Sequence, residues 1–208
     1  MNNIETKNLK SAYVRFLNAY ADNVDFYLNG QKVASNLPFG EFTRFTPMVL
    51  GENVLKAFAS ANGESQSAQI TIDITDNEVY TVAMVSIGGV PSLYGILEID
   101  GTAQTGTGNV RVCNLAPDLE MADVYANRYK ILGEIDYLEI SKYISLVPDT
   151  YTFTVKKANK DETILNAGAH QVLANKYNSL YLVGKTSGEP RIMALFTIDA
   201  PSYDGEYL

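Results

Sequence analysis

Aspartate residues are the side chains of this sequence whose type and spacing come closest to a chemical site. Asp22 and Asp25 flank a short predicted hairpin, and Asp118 and Asp123 flank its copy later in the chain. Carboxylate oxygens bind calcium, and a pair of carboxylic acids can hydrolyse a glycosidic bond. The spacing fits no EF-hand loop, and pairing between strands explains the positions without added chemistry, so we predict no metal site and no catalytic residue. These four aspartates remain weak calcium candidates.

A structural role explains the same aspartates without added chemistry. Arg15 and Asp25 lie on consecutive predicted strands, and Arg111 and Asp123 repeat the arrangement. Opposite charges that face each other across a strand pair contribute about 0.2–1 kcal/mol and help to set the register. The other two aspartates are expected to accept backbone hydrogen bonds in turns.

Nucleophilic, acid-base and zinc chemistry have little support. The chain has one histidine, His170, and one cysteine, Cys113. Both fall at apolar strand positions, where a structural role is expected, and together they exclude a zinc site built from nitrogen and sulfur ligands. The sequence also lacks a Gly-x-Ser-x-Gly elbow and a phosphate-binding glycine loop. We therefore predict that the protein is not an enzyme and needs no cofactor.

Tyrosine offers a different kind of site. Tyr27 and Tyr125 are predicted to share an outer face with the repeated aspartates, and Glu41 and Glu139 recur in the segment that follows. Exposed tyrosines beside carboxylates can form a protein- or sugar-binding patch, because the ring gives a large contact area with a polar tip. Tyrosine is also a normal resident of β-strands, so the two interpretations stay open.

Composition and charge exclude several partners. The 208 residues carry a net charge of -8, which repels phosphate backbones, so we predict no nucleic-acid partner. Hydrophobic residues make up 46%, enough for a real core. The most apolar stretch, Val79–Val90, is interrupted by polar residues and glycines, so we predict no transmembrane segment. The first residues lack the apolar run of a signal peptide, which leaves the location unknown.

Alternating polar and apolar residues predict strands throughout the chain. Ile70–Ile74 and Tyr151–Val155 both alternate with period two, and turn signals recur at short intervals. This pattern is typical of an all-β sandwich or barrel. Asn29-Gly30 is the expected type I′ hairpin turn. Its copy, Asn127-Arg128, should need a longer loop, because arginine is disfavoured at positive φ.

The chain repeats itself at a nearly constant offset. Val14–Asn18 matches Val110–Asn114, and Asp25–Asn29 matches Asp123–Asn127, with further matches in order after them. A unit of this length can close its own core, so we predict two tandem antiparallel β-sandwich domains. The predicted divisions are a leader at 1–11, repeat 1 at 12–100, a Gly/Thr linker at 101–108, repeat 2 at 109–199 and a tail at 200–208.

Each repeat resembles the bacterial domain of unknown function numbered 4397. The resemblance is carried by VRFLNAYADNVDFYLNG at 14–30 and VRVCNLAPDLEMADVYAN at 110–127, and it continues through 39–42 and 148–153. It implies tandem immunoglobulin-like sandwiches, often on exported or envelope proteins, with no known catalytic residues.

The expected function follows from this resemblance. We expect a non-enzymatic structural or adhesive module of a bacterial cell or spore envelope, with other envelope proteins or glycans as partners. The alternative is a binder of a glycan, a small molecule or calcium, using the acidic, Tyr-rich surface or the groove between the domains. The usual histidine of the family's first segment is replaced by Asn18 and Asn114, so any role of that histidine is absent here.

Overall fold

The computed structural model describes residues 12–20, 23–61, 64–98 and 105–200. The predicted leader, most of the predicted tail, and residues 101–104 of the predicted linker lie outside this part of the chain. The described residues form sixteen β-strands and no helix. The predicted all-β class is therefore confirmed.

The first eight strands form unit 1, a sandwich of two four-stranded sheets. One sheet has the strand order β4-β1-β7-β8 and the other β3-β2-β5-β6. The strands are β1 (Ala12–Asn18), β2 (Val24–Leu28), β3 (Gln31–Leu37), β4 (Thr46–Met48), β5 (Gly51–Ala61), β6 (Glu64–Ile74), β7 (Val79–Ile87) and β8 (Val90–Leu97).

The last eight strands form unit 2 and repeat the same topology. The sheet orders are β12-β9-β15-β16 and β11-β10-β13-β14, so each strand has the place of the strand eight positions before it. The two tandem sandwiches predicted from the repeat are confirmed. The strands are β9 (Gly108–Asn114), β10 (Met121–Ala126), β11 (Tyr129–Asp136), β12 (Ile144–Leu146), β13 (Asp149–Lys157), β14 (Thr163–Val172), β15 (Tyr177–Val183) and β16 (Met193–Ile198).

The ladders are antiparallel except for one parallel pair in each unit. β1 runs parallel to β7, and β9 runs parallel to β15. After β1 the chain crosses to the other sheet, returns as β4 on one side of β1, and crosses over again as β5 and β6. It then returns as β7 on the other side of β1, in the same direction as β1. The sandwiches are therefore mixed at this one ladder, where the sequence predicted wholly antiparallel sheets.

Each unit has its own core between its two sheets. In unit 1, Phe16 of β1 stacks on Phe26 of β2, with ring centroids 4.8 Å apart. In unit 2, Phe153 of β13 stacks on Phe196 of β16 at 5.5 Å. Burying one such aromatic side chain contributes about 1.5–3 kcal/mol, so these rings hold the sheets of each sandwich together.

A third core joins the two units. It lies between the sheets β4-β1-β7-β8 and β12-β9-β15-β16, which we call the inner sheets; the other two are the outer sheets. All seven residues of β9 and all seven of β15 are buried, because each strand packs on its own unit and on the neighbouring one. The buried members of this core are Leu17, Ala19, Ala83, Val85, Ile96, Cys113, Leu115, Tyr181 and Val183.

The predicted pairing of Arg15 with Asp25 is wrong, as is that of Arg111 with Asp123. β1 and β9, which carry the arginines, belong to inner sheets, whereas β2 and β10, which carry the aspartates, belong to outer sheets. β1 and β2 lie in opposite sheets, as do β9 and β10, so these charges cannot face each other across a ladder.

The two hairpins differ in conformation and not in length. Asn29 and Gly30 have φ of 50° and 80°, as a type I′ turn requires. The copy also joins its strands through two residues, Asn127 and Arg128, and of these two only Asn127 has a positive φ, at 55°. The expectation of a longer second loop was wrong, because Arg128 does not adopt the left-handed conformation in this two-residue turn.

Candidate functional site

The repeated aspartate Asp123 is enclosed by hydrogen-bond donors. Its carboxylate accepts bonds from Lys130 Nζ at 2.9 Å, from the Glu134 N–H at 3.0 Å and from the Asn159 N–H at 3.1 Å. The residue is 2% exposed. Burial acts to raise the pKa of Asp123, but these donors outweigh it and hold the pKa below its usual value.

Asp25 has the same arrangement in unit 1, closer to the surface. It accepts bonds from Lys32 Nζ at 2.6 Å and from the Asn36 N–H at 2.8 Å. The Lys32 hydrogen bond, with help from the Asn36 N–H, lowers the pKa of Asp25. Asn36 and Glu134 both have left-handed φ, 51° and 58°, where β3 and β11 bulge against their partners. The two aspartates therefore hold a β-bulge in each unit.

Asp118, another of the calcium candidates, has a different set of partners. Asp118 accepts the Thr186 N–H at 2.8 Å, the Thr186 hydroxyl at 2.9 Å and the Ser187 N–H at 3.0 Å, which ties the approach to β10 to the loop between β15 and β16. Burial acts to raise the pKa of Asp118, and these donors lower it overall. Asp22 lies outside the described residues. Within the described part of the chain, no three His, Cys, Asp or Glu side chains are grouped so that they could hold a metal ion.

The tyrosines of the predicted binding patch lie on the outer sheets, whereas its glutamates lie in loops beside the inner sheets. Tyr27 and Tyr125 are half-buried on outer-sheet strands β2 and β10, with a lysine Nζ 5.3 Å and 5.0 Å from the respective ring centroids. The carbonyls of Glu41 and Glu139 instead accept hydrogen bonds from the ends of β1 and β9, in the inner sheets. Each pair is repeated, but the structure does not bring the tyrosines and glutamates together.

The lone histidine and cysteine occupy packed positions. His170 Nε2 lies 2.8 Å from the Ala167 carbonyl, and the ring stacks on Phe196 with centroids 4.7 Å apart. Cys113 is fully buried in the core between the units, and this burial raises the pKa of its thiol to about 12. A thiol in this state is a weak nucleophile at neutral pH.

Sequence reasoning missed a buried ionic network between the units. Arg15 is 5% exposed and Glu98 3% exposed. Arg15 Nη2 lies 2.9 Å from Glu98 Oε1 in its own unit and 3.3 Å from Asp199 Oδ1 in unit 2. Its Nε donates to Thr81 Oγ1 at 2.8 Å. One arginine thus holds a carboxylate from each unit.

Arg111 occupies the equivalent position in unit 2 and has fewer polar partners. Its Nε donates to Ser179 Oγ at 2.7 Å and lies 3.7 Å from Asp199 Oδ2. Its Nη1 donates across to the Leu97 carbonyl of unit 1 at 3.0 Å. The guanidinium lies over the Tyr143 ring, 4.8 Å from the centroid.

The network follows an approximate two-fold relation between the units. Each arginine donates from Nε to a hydroxyl on the neighbouring strand of its own sheet. Each also reaches into the other unit: Arg15 Nη1 lies 3.4 Å from the Ile198 carbonyl, as Arg111 Nη1 lies 3.0 Å from the Leu97 carbonyl. Leu97 and Ile198 end the equivalent strands β8 and β16. The interface thus resembles that of a symmetric dimer whose subunits share one chain.

Burial changes the titration of this network. Burial raises the pKa of Glu98 above its usual range, although Arg15 acts in the opposite direction. Burial, together with the nearby Asp199 carboxylate, raises the pKa of Tyr143, so its hydroxyl stays protonated. Tyr143 donates to Asp199 Oδ2 at 2.6 Å, and Ser179 Oγ donates to the same oxygen at 2.7 Å. Asp199 is therefore held by unit 2 on one oxygen and by Arg15 on the other.

A groove of about 440 Å³ opens beside this network. We call it the inter-unit groove, because β8 of unit 1 forms one side and the segment between β11 and β12 of unit 2 forms the other. Arg111 and the exposed Lys142 supply positive charge, and the rest of the lining is largely apolar. Its lining residues are Gly95, Ile96, Leu97, Arg111, Ile140, Ser141, Lys142 and Tyr143.

Comparison with known proteins identifies both units. The sequence profile described as "Domain of unknown function (DUF4397)" matches residues 12–121 and again residues 108–204. No curated protein matches the chain. Across the residues that the structure describes, no helix has the length and apolar character needed to cross a membrane.

Proposed function

Because the chain belongs to the DUF4397 family and carries its domain twice, we propose that it is a non-enzymatic structural or adhesive module of a bacterial cell or spore envelope. The envelope location draws on the family resemblance in the sequence. The structural role draws on the way in which the two units are joined.

The observation that carries this proposal is the buried network between the units. Arg15 bridges Glu98 and Asp199, and an apolar core of residues from both inner sheets surrounds it. Moving the units apart would expose that core and separate buried charges from their partners, which is costly. Two sandwiches joined in this way form a stiff unit, which suits a spacer or a mechanical support.

The repeated charged residues support the same proposal. Asp25 and Asp123 stabilise the bulges at Asn36 and Glu134, and Lys32 and Lys130 stand beside them at equivalent positions. Duplication has kept the bonds that shape each sandwich. A scaffold whose shape matters is expected to keep such bonds.

Fractionation of intact cells and spores with antibody detection tests the proposed location. We expect the protein in the envelope or spore-coat fraction, resistant to washing with salt. A cytosolic enzyme followed in the same fractions controls for lysis. A signal confined to the cytosol would refute the envelope role.

A second candidate function is ligand binding, and one observation favours it. The inter-unit groove places Arg111 and Lys142 beside an apolar wall. A binder and a structural module are compatible in one protein.

A further inference from the structure

The two arginines at the interface are equivalent by the repeat but unequal in their partners. Arg15 Nη2 contacts both carboxylates of the network, Glu98 and Asp199. Arg111 Nη2 is shielded from water and has no hydrogen-bond partner among the described residues. Leaving such a donor unpaired in the interior is unfavourable, so the site favours an acceptor.

The difference arises from the acid at the end of the last strand in each unit. Unit 1 has Glu98, whose longer side chain lets its carboxylate lie against the Arg15 guanidinium. Unit 2 has Asp199, shorter by one methylene and held by the Ser179 and Tyr143 hydroxyls. Its nearest approach to Arg111 is 3.7 Å, at Nε and not at Nη2. In unit 1 the arginine Nη2 is paired with a carboxylate of the same unit, and in unit 2 it is not.

The arginine that has no carboxylate at Nη2, Arg111, lies at the inter-unit groove. Arg111 lines this groove, and Lys142 stands at its exposed rim. The N–H groups of a guanidinium form strong hydrogen bonds with the oxygens of a carboxylate or a phosphate. A volume of about 440 Å³ suits a small ligand, and Ile96, Leu97 and Ile140 offer it an apolar surface.

We propose that the inter-unit groove binds a small organic carboxylate with a compact apolar body, whose carboxylate takes the place that Glu98 fills in unit 1. The carboxylate first meets the Lys142 ammonium at the rim. It reaches Arg111 Nη2 by displacing side chains of the groove wall, since this nitrogen is covered in the unbound protein. The apolar body then rests against β8. This binding site is independent of the proposed envelope location.

A phosphate group fits the same charges less well. The groove wall is apolar beyond Arg111 and Lys142, and the chain as a whole carries a net charge of -8. A compact, strongly hydrated dianion would lose its water without gaining apolar contact. We therefore assign the site to a monoanion with an apolar part.

Binding can be tested on the full chain by amide NMR titration with benzoate. Benzamide, the neutral isostere, and inorganic phosphate serve as comparison probes. We expect benzoate at millimolar concentrations to give saturable shifts at Gly95–Leu97 and Ile140–Tyr143. The Nε resonance of Arg111 should move with them, since it reports directly on the guanidinium. Neither benzamide nor phosphate should reproduce this pattern.

A variant that closes the site supplies the central control. Asp199→Glu with Tyr143→Phe copies unit 1, where Glu98 and Phe45 stand at the equivalent positions. The added methylene should bring an internal carboxylate to Arg111, and the saturable benzoate shifts should disappear. Near-ultraviolet circular dichroism and the melting temperature check that the variant is folded.

Two single substitutions of exposed residues keep the test decisive if the double variant does not fold. Lys142→Gln should weaken benzoate binding about two- to five-fold, as the loss of one exposed charge predicts. Arg44→Gln, the equivalent change in unit 1, should leave binding unchanged. The proposal is overturned if benzoate gives no saturable shift, if benzamide or phosphate binds as well as benzoate does, or if Lys142→Gln and Arg44→Gln bind it equally.

Discussion

The guanidinium of Arg15 lies 2.9 Å from the carboxylate of Glu98, and both side chains are almost wholly shielded from water. Glu98 also accepts the Ala200 N–H at 2.6 Å, just past the end of β16. The pair therefore connects the first strand of unit 1 to the last strand of unit 2. It belongs to the interface as much as to the sandwich that contains it.

Replacing Arg15 with methionine should destabilise the protein more than the same change at Arg111. Removing one partner of a buried ion pair leaves an uncompensated charge and costs about 3–5 kcal/mol. Arg15→Met leaves the buried carboxylates of Glu98 and Asp199 without this cation. Arg111→Met leaves Asp199 bound to Arg15, Ser179 and Tyr143. Urea denaturation followed by circular dichroism measures both. Equal losses of unfolding free energy would contradict the unequal roles assigned to the two arginines.

Asp123→Asn should lower stability at neutral pH and matter less in acid. The pKa of Asp123 is lowered in the folded protein, so below its ordinary value near 3.9 the unfolded chain binds the proton more readily. The stability that this carboxylate contributes is thus present above that pH and is lost as the pH falls through the folded pKa. At neutral pH we expect a loss of about 1–3 kcal/mol from the mispaired donors.

The quantity to follow with pH is the difference in unfolding free energy between wild type and Asp123→Asn. The raised pKa of Glu98 acts oppositely, because its contribution is present below its ordinary pKa and declines as the pH rises through the folded one. Glu98 is present in both proteins, so its contribution cancels when the two unfolding free energies are subtracted at each pH. Asp25→Asn, at the more exposed copy, should show a smaller gap. A gap for Asp123→Asn that stays constant from pH 7 down to pH 2 would rule out the titration argument.

The sandwich architecture could be predicted because its signals are local. Alternation at Ile70–Ile74 and Tyr151–Val155 falls within β6 and β13, and Asn29-Gly30 forms the expected turn. The repeat then doubles the evidence, since two copies of one pattern must build two similar units. Both features depend on residues close together in the chain.

The interface could not be predicted in the same way. Whether Arg15 faces Asp25 or Glu98 depends on which sheet each strand joins, and period-two alternation carries no information on strand partners. One signal was nevertheless present. An arginine stands amid apolar residues at the same place in both copies, Arg15 and Arg111, and a buried arginine needs a buried acid. The acids were missed because Glu98 and Asp199 lie at the far end of each repeat.

Calcium should have no effect on the melting temperature of the parent protein. Lysine and backbone donors already surround the carboxylates of Asp25 and Asp123, and a cation would have to displace them. Asp25→Ala should lower the melting temperature by the same amount with calcium and with chelator. A calcium-dependent rise in the parent that vanishes in Asp25→Ala would show that this aspartate binds the ion after all.

Glu134→Gly should stabilise the protein, although it removes a side chain. Glu134 has φ of 58°, a left-handed conformation that costs a residue other than glycine about 1–2 kcal/mol. Its N–H still donates to Asp123 in the variant, because that bond uses the backbone. The loss of the Glu134 side-chain bond to Asn159 and the greater freedom of glycine when unfolded offset part of the gain, so we expect about 0.5–1 kcal/mol.

Asn36→Gly is the matched control for this prediction, since Asn36 fills the same bulge position in unit 1 with φ of 51°. Asparagine tolerates the left-handed region better than glutamate, so the same change there should gain less. Thermal and urea unfolding of both variants give the comparison. If Glu134→Gly destabilises the protein while Asn36→Gly does not, the glutamate side chain contributes more to the bulge than the strain of its backbone removes.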